Sequence, residues 1–365
     1  MDSRKNGNLA KLVAFFLIVT VLVMAIAFSA SGWQGEDQQE PDSGKTPTGG
    51  TADENTDGDT NITPEPIAPT YTHYISGLEI SEEESLLKPL CIIYDTEAPM
   101  YGISSSFLSV EIPTEGGKTR LLAFTNEATS HGKVGALAPT RRYISNIASY
   151  FSAVPVFMGN DDSFAYDGID ADSGYIDLAG NHGYHYTEYN MYNYSNADLL
   201  NAYIRNNGTG VILSDTPSAP YTFRKSGAVT VGDIQASTAL IQFDKGSTTE
   251  LIYSRESDSY RIQKNANALI DKLDDSTPSY DNAIILFADA VTHETSTATE
   301  LILDTMGGGD GYYLNGGMAQ RITWATTDAG DLAFYSETGD ILAIEPGSSY
   351  IAFAKSSLAG STRLA

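Results

Sequence analysis

The sequence predicts an α+β protein. An α/β-like N-terminal domain precedes a mainly β C-terminal domain, and both follow one transmembrane helix and a disordered stalk. Three observations lead there. An almost unbroken apolar run occupies residues 12–30, and a polar, acidic tract follows it. Beyond residue 71, apolar runs alternate with helical periodicities as far as about residue 216, and thereafter with little but turn residues. The 365 residues carry 47 acidic against 21 basic side chains, a net charge of −26. That balance excludes a protein that coats nucleic acid, because phosphate contacts need clustered Lys and Arg. One cysteine, Cys91, excludes a disulfide framework and a thiolate metal cage.

The expected organisation is a cytoplasmic tip and signal anchor (1–33), an acidic linker (34–70), an N-terminal domain (71–216), a C-terminal domain (217–356) and a tail (357–365). The apolar run is long enough for a bilayer core of roughly 30 Å at a rise of about 1.5 Å per residue. Arg4, Lys5 and Lys11 precede it, which places that end in the cytoplasm and the rest of the chain outside. The rival reading is a cleaved signal peptide ending near residues 29–32. The linker holds nine Asp or Glu and one Lys. It has too little apolar surface to offset its chain entropy and should stay extended.

In the N-terminal domain, residues 90–94 read as a buried strand closed by Asp95. Residues 107–112 and 119–125 form a hairpin about Glu115-Gly116-Gly117-Lys118. A helix follows over 141–151 and a strand over 154–158. Asn196 caps a second helix that stops at Asn207-Gly208. The C-terminal domain shows strand-like runs at 239–243, 250–253, 284–287, 300–303, 311–314, 319–324, 332–335, 341–344 and 350–353. A short helix is expected over 265–273.

Several segments together resemble the YerB-like family of Gram-positive cell-envelope proteins, built from two adjoining parts of a domain of unknown function (3048). Residues 110–120 match the family's Glu, three residues, Glu-Gly-Gly, any residue, Thr-Arg pattern through Glu111, Glu115, Gly116, Gly117, Thr119 and Arg120. Asp95 stands where the family ends its first strand. Between Gly135 and Arg141 only those two residues keep the family pattern, with Ala138 replacing an Arg. Tyr189 replaces a His before Asn190-Met191-Tyr192. In the second domain Gly307 to Tyr312, Trp324, Phe334-Tyr335, Gly339 and Pro346 to Ile351 keep the family's order, with Tyr350 where a Trp is usual. The resemblance implies the fold and an envelope location but no activity. Typical members are lipoproteins, and no cysteine follows the apolar run here.

The candidate ligand site is Asp95, Glu111, Glu115, Arg120 and Arg141. Carboxylates and arginines near strand ends suit a divalent cation and a phosphate held together. Arg141 opens a helix whose N-terminal N–H groups favour an anion. The bland alternative is a structural hairpin with surface ion pairs. No cofactor is firmly implied, and a divalent cation is the one candidate. Weaker signals are a calcium-like run at Asp170-Ala171-Asp172-Ser173-Gly174, the pair His182 and His185, and five tyrosines between Tyr184 and Tyr194 that could stack on sugars. Gly307-Gly308-Gly309 reads as a turn or bulge, and Cys91 as a core residue. The leading function is a non-catalytic envelope binding module for wall polymer or another envelope protein, held to the membrane by its N-terminal helix. The alternative is a metal-dependent enzyme acting on phosphorylated envelope precursors, similar in layout to the LytR-CpsA-Psr phosphotransferases.

Overall fold

The computed structural model describes residues 70–159, 174–189, 191–225, 232–294 and 299–365. The apolar run at 12–30, the acidic linker up to residue 69 and residues 170–173 of the calcium-like run lie outside them. Residues Ile67–Ala365 form one compact unit. It is mainly β, with few helices.

The main strands of the first half are β1 (Leu90–Asp95), β2 (Leu108–Pro113), β3 (Thr119–Thr125), β4 (Val134–Leu137), β5 (Val154–Phe157) and β6 (Tyr192–Ser195). Helices α1 (Arg142–Tyr150) and α2 (Ala197–Asn207) lie between and after them. The second half supplies β7 (Thr238–Asp244), β8 (Ser247–Ser254), β9 (Ser259–Lys264), β10 (Asn282–Ala288), β11 (Gly308–Asn315), β12 (Met318–Thr326) and β13 (Ser349–Lys355). A 14-stranded sheet runs through both halves in the order β12-β11-β10-β13-β2-β3-β1-β4-β6, with short strands at its ends. A second sheet of six strands is built around β7, β8 and β9.

The two halves join where β13 pairs in parallel with β2, Ser349 facing Leu108 and Ala352 facing Glu111. On its other side β13 pairs in parallel with β10. Alternation then sorts the side chains, since successive residues of a strand point to opposite faces. One face collects Leu90, Ile92, Ala283, Ile285, Tyr350 and Ala352, packed against Ile241, Phe243, Leu251 and Ile262 of the smaller sheet. The other collects Cys91, Ile93, Val110, Leu122, Ile284, Ile351 and Phe353, with Ile144 and Ile147 of α1. Each core therefore draws on both sides of residue 216, and the two expected domains do not pack separately. A texture change in sequence marked a change in supersecondary style, whereas the cores follow the two faces of a shared sheet.

Several local expectations are met. Helix α2 begins at Asn196, whose side chain accepts a hydrogen bond from the Leu199 N–H at 3.0 Å, and ends at left-handed Gly208. The hairpin of β2 and β3 is antiparallel, and Cys91 is a buried free thiol.

Three expectations are corrected. Residues 265–273 form no helix. Asn265 and Ala266 take positive φ and turn β9 back onto the two-residue strand Asn267–Ala268. Gly308 and Gly309 lie inside β11 rather than in a turn. A Cβ on Gly309 would sit 2.2 Å from the Phe287 carbonyl oxygen, the atom to which the Trp324 indole donates at 3.0 Å. Residues 357–365, expected as a tail, belong to the body. A 3₁₀ segment, Ser356–Ser361, leads to the strand Arg363–Leu364, which pairs with β7.

Because both cores cross the midpoint of the chain, the body should unfold in one cooperative calorimetric transition. Ile351→Ala, which opens the core at the central strand, should cost about 2–5 kcal/mol and shift that single transition whole. Two separate transitions would refute the shared-core account.

Candidate functional site

Four of the five predicted site residues lie on the α1 face of the large sheet. Asp95 ends β1 directly opposite Arg120 in β3. Arg120 follows the same alternation as Leu122 and Phe124, so its guanidinium meets Asp95 at 3.4 Å. Both side chains are mostly buried.

Glu115 begins the 3₁₀ turn Glu115–Gly117 between β2 and β3. Gly116 and Gly117 there have φ of 70° and 72°, which glycine adopts without steric penalty. Arg141 is the extended residue just before α1. Its Nε donates to both Glu115 oxygens at 3.1 Å and its Nη2 donates to Oε2 at 2.5 Å. The Leu301 N–H adds a fourth bond to Oε1 at 2.8 Å. Leu301 lies in the strand Thr299–Leu303, so this carboxylate ties the hairpin turn, the start of α1 and a strand of the second half. Burial tends to raise the Glu115 carboxyl. The Arg141 hydrogen bonds, the Leu301 amide and the guanidinium charge outweigh it and hold the group below its ordinary value.

Glu111 points the other way, into the seam between the two sheets, and is fully buried. Its Oε2 accepts from the Tyr350 hydroxyl at 2.5 Å and from Thr249 Oγ1 at 2.8 Å. Its Oε1 is paired with Lys264 Nζ, which also donates to Thr119 Oγ1 at 2.8 Å. Burial pushes the carboxyl up, but the Lys264 charge and these hydrogen bonds together hold it below its ordinary value. Burial, and then Glu111 itself, drive the Tyr350 hydroxyl well above its own. Lys264 and Thr249 were not singled out in the sequence, and Tyr350 was noted only as standing where the resembled family usually has Trp. The one available signal was the alternation of Ser259–Lys264, which marks a strand but not its partner.

The Lys264 end of this seam opens into a cleft of about 390 Å³, lined by Thr96, Thr119, Ser247, Lys264, Asn265 and Asn267 among others. The predicted five residues thus divide into two arginine clasps on one face and a buried ion pair on the other.

Part of the tyrosine cluster packs internally, whereas Tyr189 is exposed. Tyr184 lies edge-on to Tyr203, and Tyr186 lies beside Tyr194. Lys133 sits 4.1 and 4.2 Å from the Tyr101 and Tyr194 ring centroids, with its ammonium 2.5 Å from Glu188. The His182 and His185 rings are 5.8 Å apart. Among the described residues, no group of three or more His, Cys, Asp or Glu could hold a metal ion.

A two-sheet, mainly β body with paired charges at its seams is the class this architecture defines. Family models for the N-terminal and C-terminal domains of a protein of unknown function (DUF3048) match residues 75–209 and 239–351, and the chain belongs to that family. The crystal structure of YerB protein from Bacillus subtilis is similar in fold, with a TM-score of 0.68 at 16% identity. The match covers 81% of this chain and 99% of that one. None of the curated proteins matches.

Two outcomes follow for stability. Lys264→Met should cost about 3–5 kcal/mol in chemical denaturation, because it strands a buried carboxylate. The double variant with Glu111→Leu should recover part of that loss, and an additive loss would refute the pairing.

The pH dependence should fall in two windows. Burial lowers His73 from 6.5 to about 4. The unfolded imidazole therefore protonates first, and stability falls as pH drops from 6.5 towards 4. Glu111 and Glu115 have lowered folded values, so their contribution is present above the ordinary carboxylate range, about pH 4.3, and is lost below it. In thermal melts, His73→Asn should flatten the upper window and Glu115→Gln the lower one.

Proposed function

We propose that this chain is a membrane-anchored, extracytoplasmic binding module of the cell envelope, non-catalytic, which engages wall polymer or another envelope protein. The observation that carries the reading is the state of the charged groups conspicuous in the sequence. Glu115 is saturated by Arg141 and the Leu301 amide. Glu111 is sealed behind Lys264 and Tyr350, and Asp95 is matched to Arg120. A catalytic carboxylate needs reach to a substrate proton or metal. Here these charged groups brace the fold. Burying such pairs contributes little net stability but penalises any arrangement that separates them, which suits a rigid recognition body.

The anchor is the apolar run at 12–30. Among the described residues no helix is long and apolar enough to cross a membrane, so the membrane assignment rests on that run and its basic flank. The acidic linker would hold the body clear of the bilayer.

In nanodiscs, the full chain should sediment with purified cell-wall material or with a defined envelope partner. Mg²⁺ with a polyprenyl pyrophosphate should leave its Tm unchanged. A metal-dependent rise in Tm, or phosphoryl transfer, would overturn the non-catalytic reading. A cysteine introduced at Ser43 should react with an impermeant maleimide on intact cells, and labelling only after lysis would reject the orientation.

A further inference from the structure

An open groove lies apart from the five predicted site residues, on the part of the large sheet that the smaller sheet leaves uncovered. It encloses about 950 Å³, within the range of roughly 300–1,000 Å³ common for ligand sites. Its floor is β11 and β12, and the C-terminal 3₁₀ segment forms one wall through Ser356, Ala359 and Gly360. Tyr312 faces Arg321 across the two strands, and Asp310 faces Thr323. All four side chains follow the alternation that turns Leu314 towards the smaller sheet, so they share the groove face. The glycines at 309 and 311 bring β11 close to β10, with positions for added Cβ atoms only 2.2 and 2.4 Å from the Phe287 and Ile285 carbonyl oxygens.

The groove has an aromatic base. The Tyr312 and Phe287 rings stand perpendicular at 6.2 Å. The Arg321 guanidinium lies 5.4 Å from the Tyr312 centroid and donates to its hydroxyl at 3.1 Å. Around this base the polar groups are unspent. The Asp310, Thr323 and Glu337 side chains have no hydrogen-bond or ionic partner among the described residues, and Arg321 has no carboxylate partner. Asp289 is held only by the Ser356 hydroxyl, at 2.5 Å. This is the reverse of Asp95, Glu111 and Glu115, whose partners are all internal. Three carboxylates against one guanidinium leave the groove negative, in a chain of net charge −26.

We propose that this groove binds a glycan carrying free amino groups. The inference rests on the binding-module reading and names its ligand class and its site. An aromatic base offers an apolar surface for the C–H faces of sugar rings. The carboxylate and guanidinium forks accept from and donate to adjacent hydroxyls. Unpaired carboxylates favour ammonium groups and repel polyanionic polymer. The open groove of about 950 Å³ has room for more than one sugar ring.

The test is calorimetric titration of the full chain in nanodiscs with a glucosamine tetramer, an N-acetylglucosamine tetramer and a polyglycerol phosphate. The glucosamine tetramer should bind. The acetylated tetramer should bind at least about tenfold more weakly, and the polyphosphate not at all. Asp310→Asn should weaken the glucosamine tetramer by about tenfold without moving Tm, and Tyr312→Ala should weaken it by a similar factor. Thr323→Trp, a substitution at an exposed position, should block the groove even if Tyr312→Ala fails to fold. Equal binding of both tetramers, or binding that survives Thr323→Trp, overturns the proposal. If the chain sediments with wall material but the tetramer does not bind, the groove assignment fails and the module reading stands. If neither occurs, both fail.

Discussion

The carboxylate of Glu111 is the point on which the architecture turns. It stands in β2 and faces the smaller sheet, where no water reaches it. An isolated buried carboxylate would cost several kcal/mol, so the fold must bring donors to it. Those donors come from three separate stretches of chain: Tyr350 in β13, Thr249 in β8 and Lys264 in β9. Satisfying one side chain therefore fixes the parallel register of β13 against β2 and the seat of the smaller sheet over both. A slip of one residue in β2 would turn Glu111 towards α1 and Val110 towards Lys264, stranding both charges at once.

The Glu115–Arg141 clasp performs a related task at the rim. A two-glycine turn presents the carboxylate, the guanidinium fork orients the start of α1, and the Leu301 amide brings in the strand Thr299–Leu303. A planar, always-charged fork holds both oxygens in one geometry, which a lysine could not do. The spacing from Glu111 to Arg120 therefore encodes two opposed duties. Arg120 serves the helix face, and Glu111 serves the inter-sheet face.

Short apolar runs bounded by turn residues made most strands legible, from residues 90–94 to 350–353, and the Asn196 cap and the hairpin glycines located their elements. Topology was not legible, because β13 enters the sheet between β10 and β2 through pairings no local pattern announces. The same distance hid the site's real partners. Glu111 was visible as a candidate, but Lys264 lies far along the chain in a strand whose only mark is mild alternation. The helix expected at 265–273 failed for a local reason, since two residues there adopt left-handed backbone. The spacing placed Arg141 rightly at a helix start, but the anion it meets is internal.

The insertion of β13 has a consequence for how the polypeptide comes into being. A chain made from its N-terminus presents β2 long before β13 exists. Through that interval the hydrogen-bonding edge of β2 is open, and open edges recruit other strands. The nascent protein is thus obliged to wait, half a sheet exposed, until Ser349–Lys355 has been made. Any rival strand that reaches that edge first, from a neighbouring copy or another chain, competes for the same seat. The polar Ser109 and the charged Glu111 on that strand make a poor welcome for an apolar intruder, so timing, as much as stability, is written into which residues line the gap.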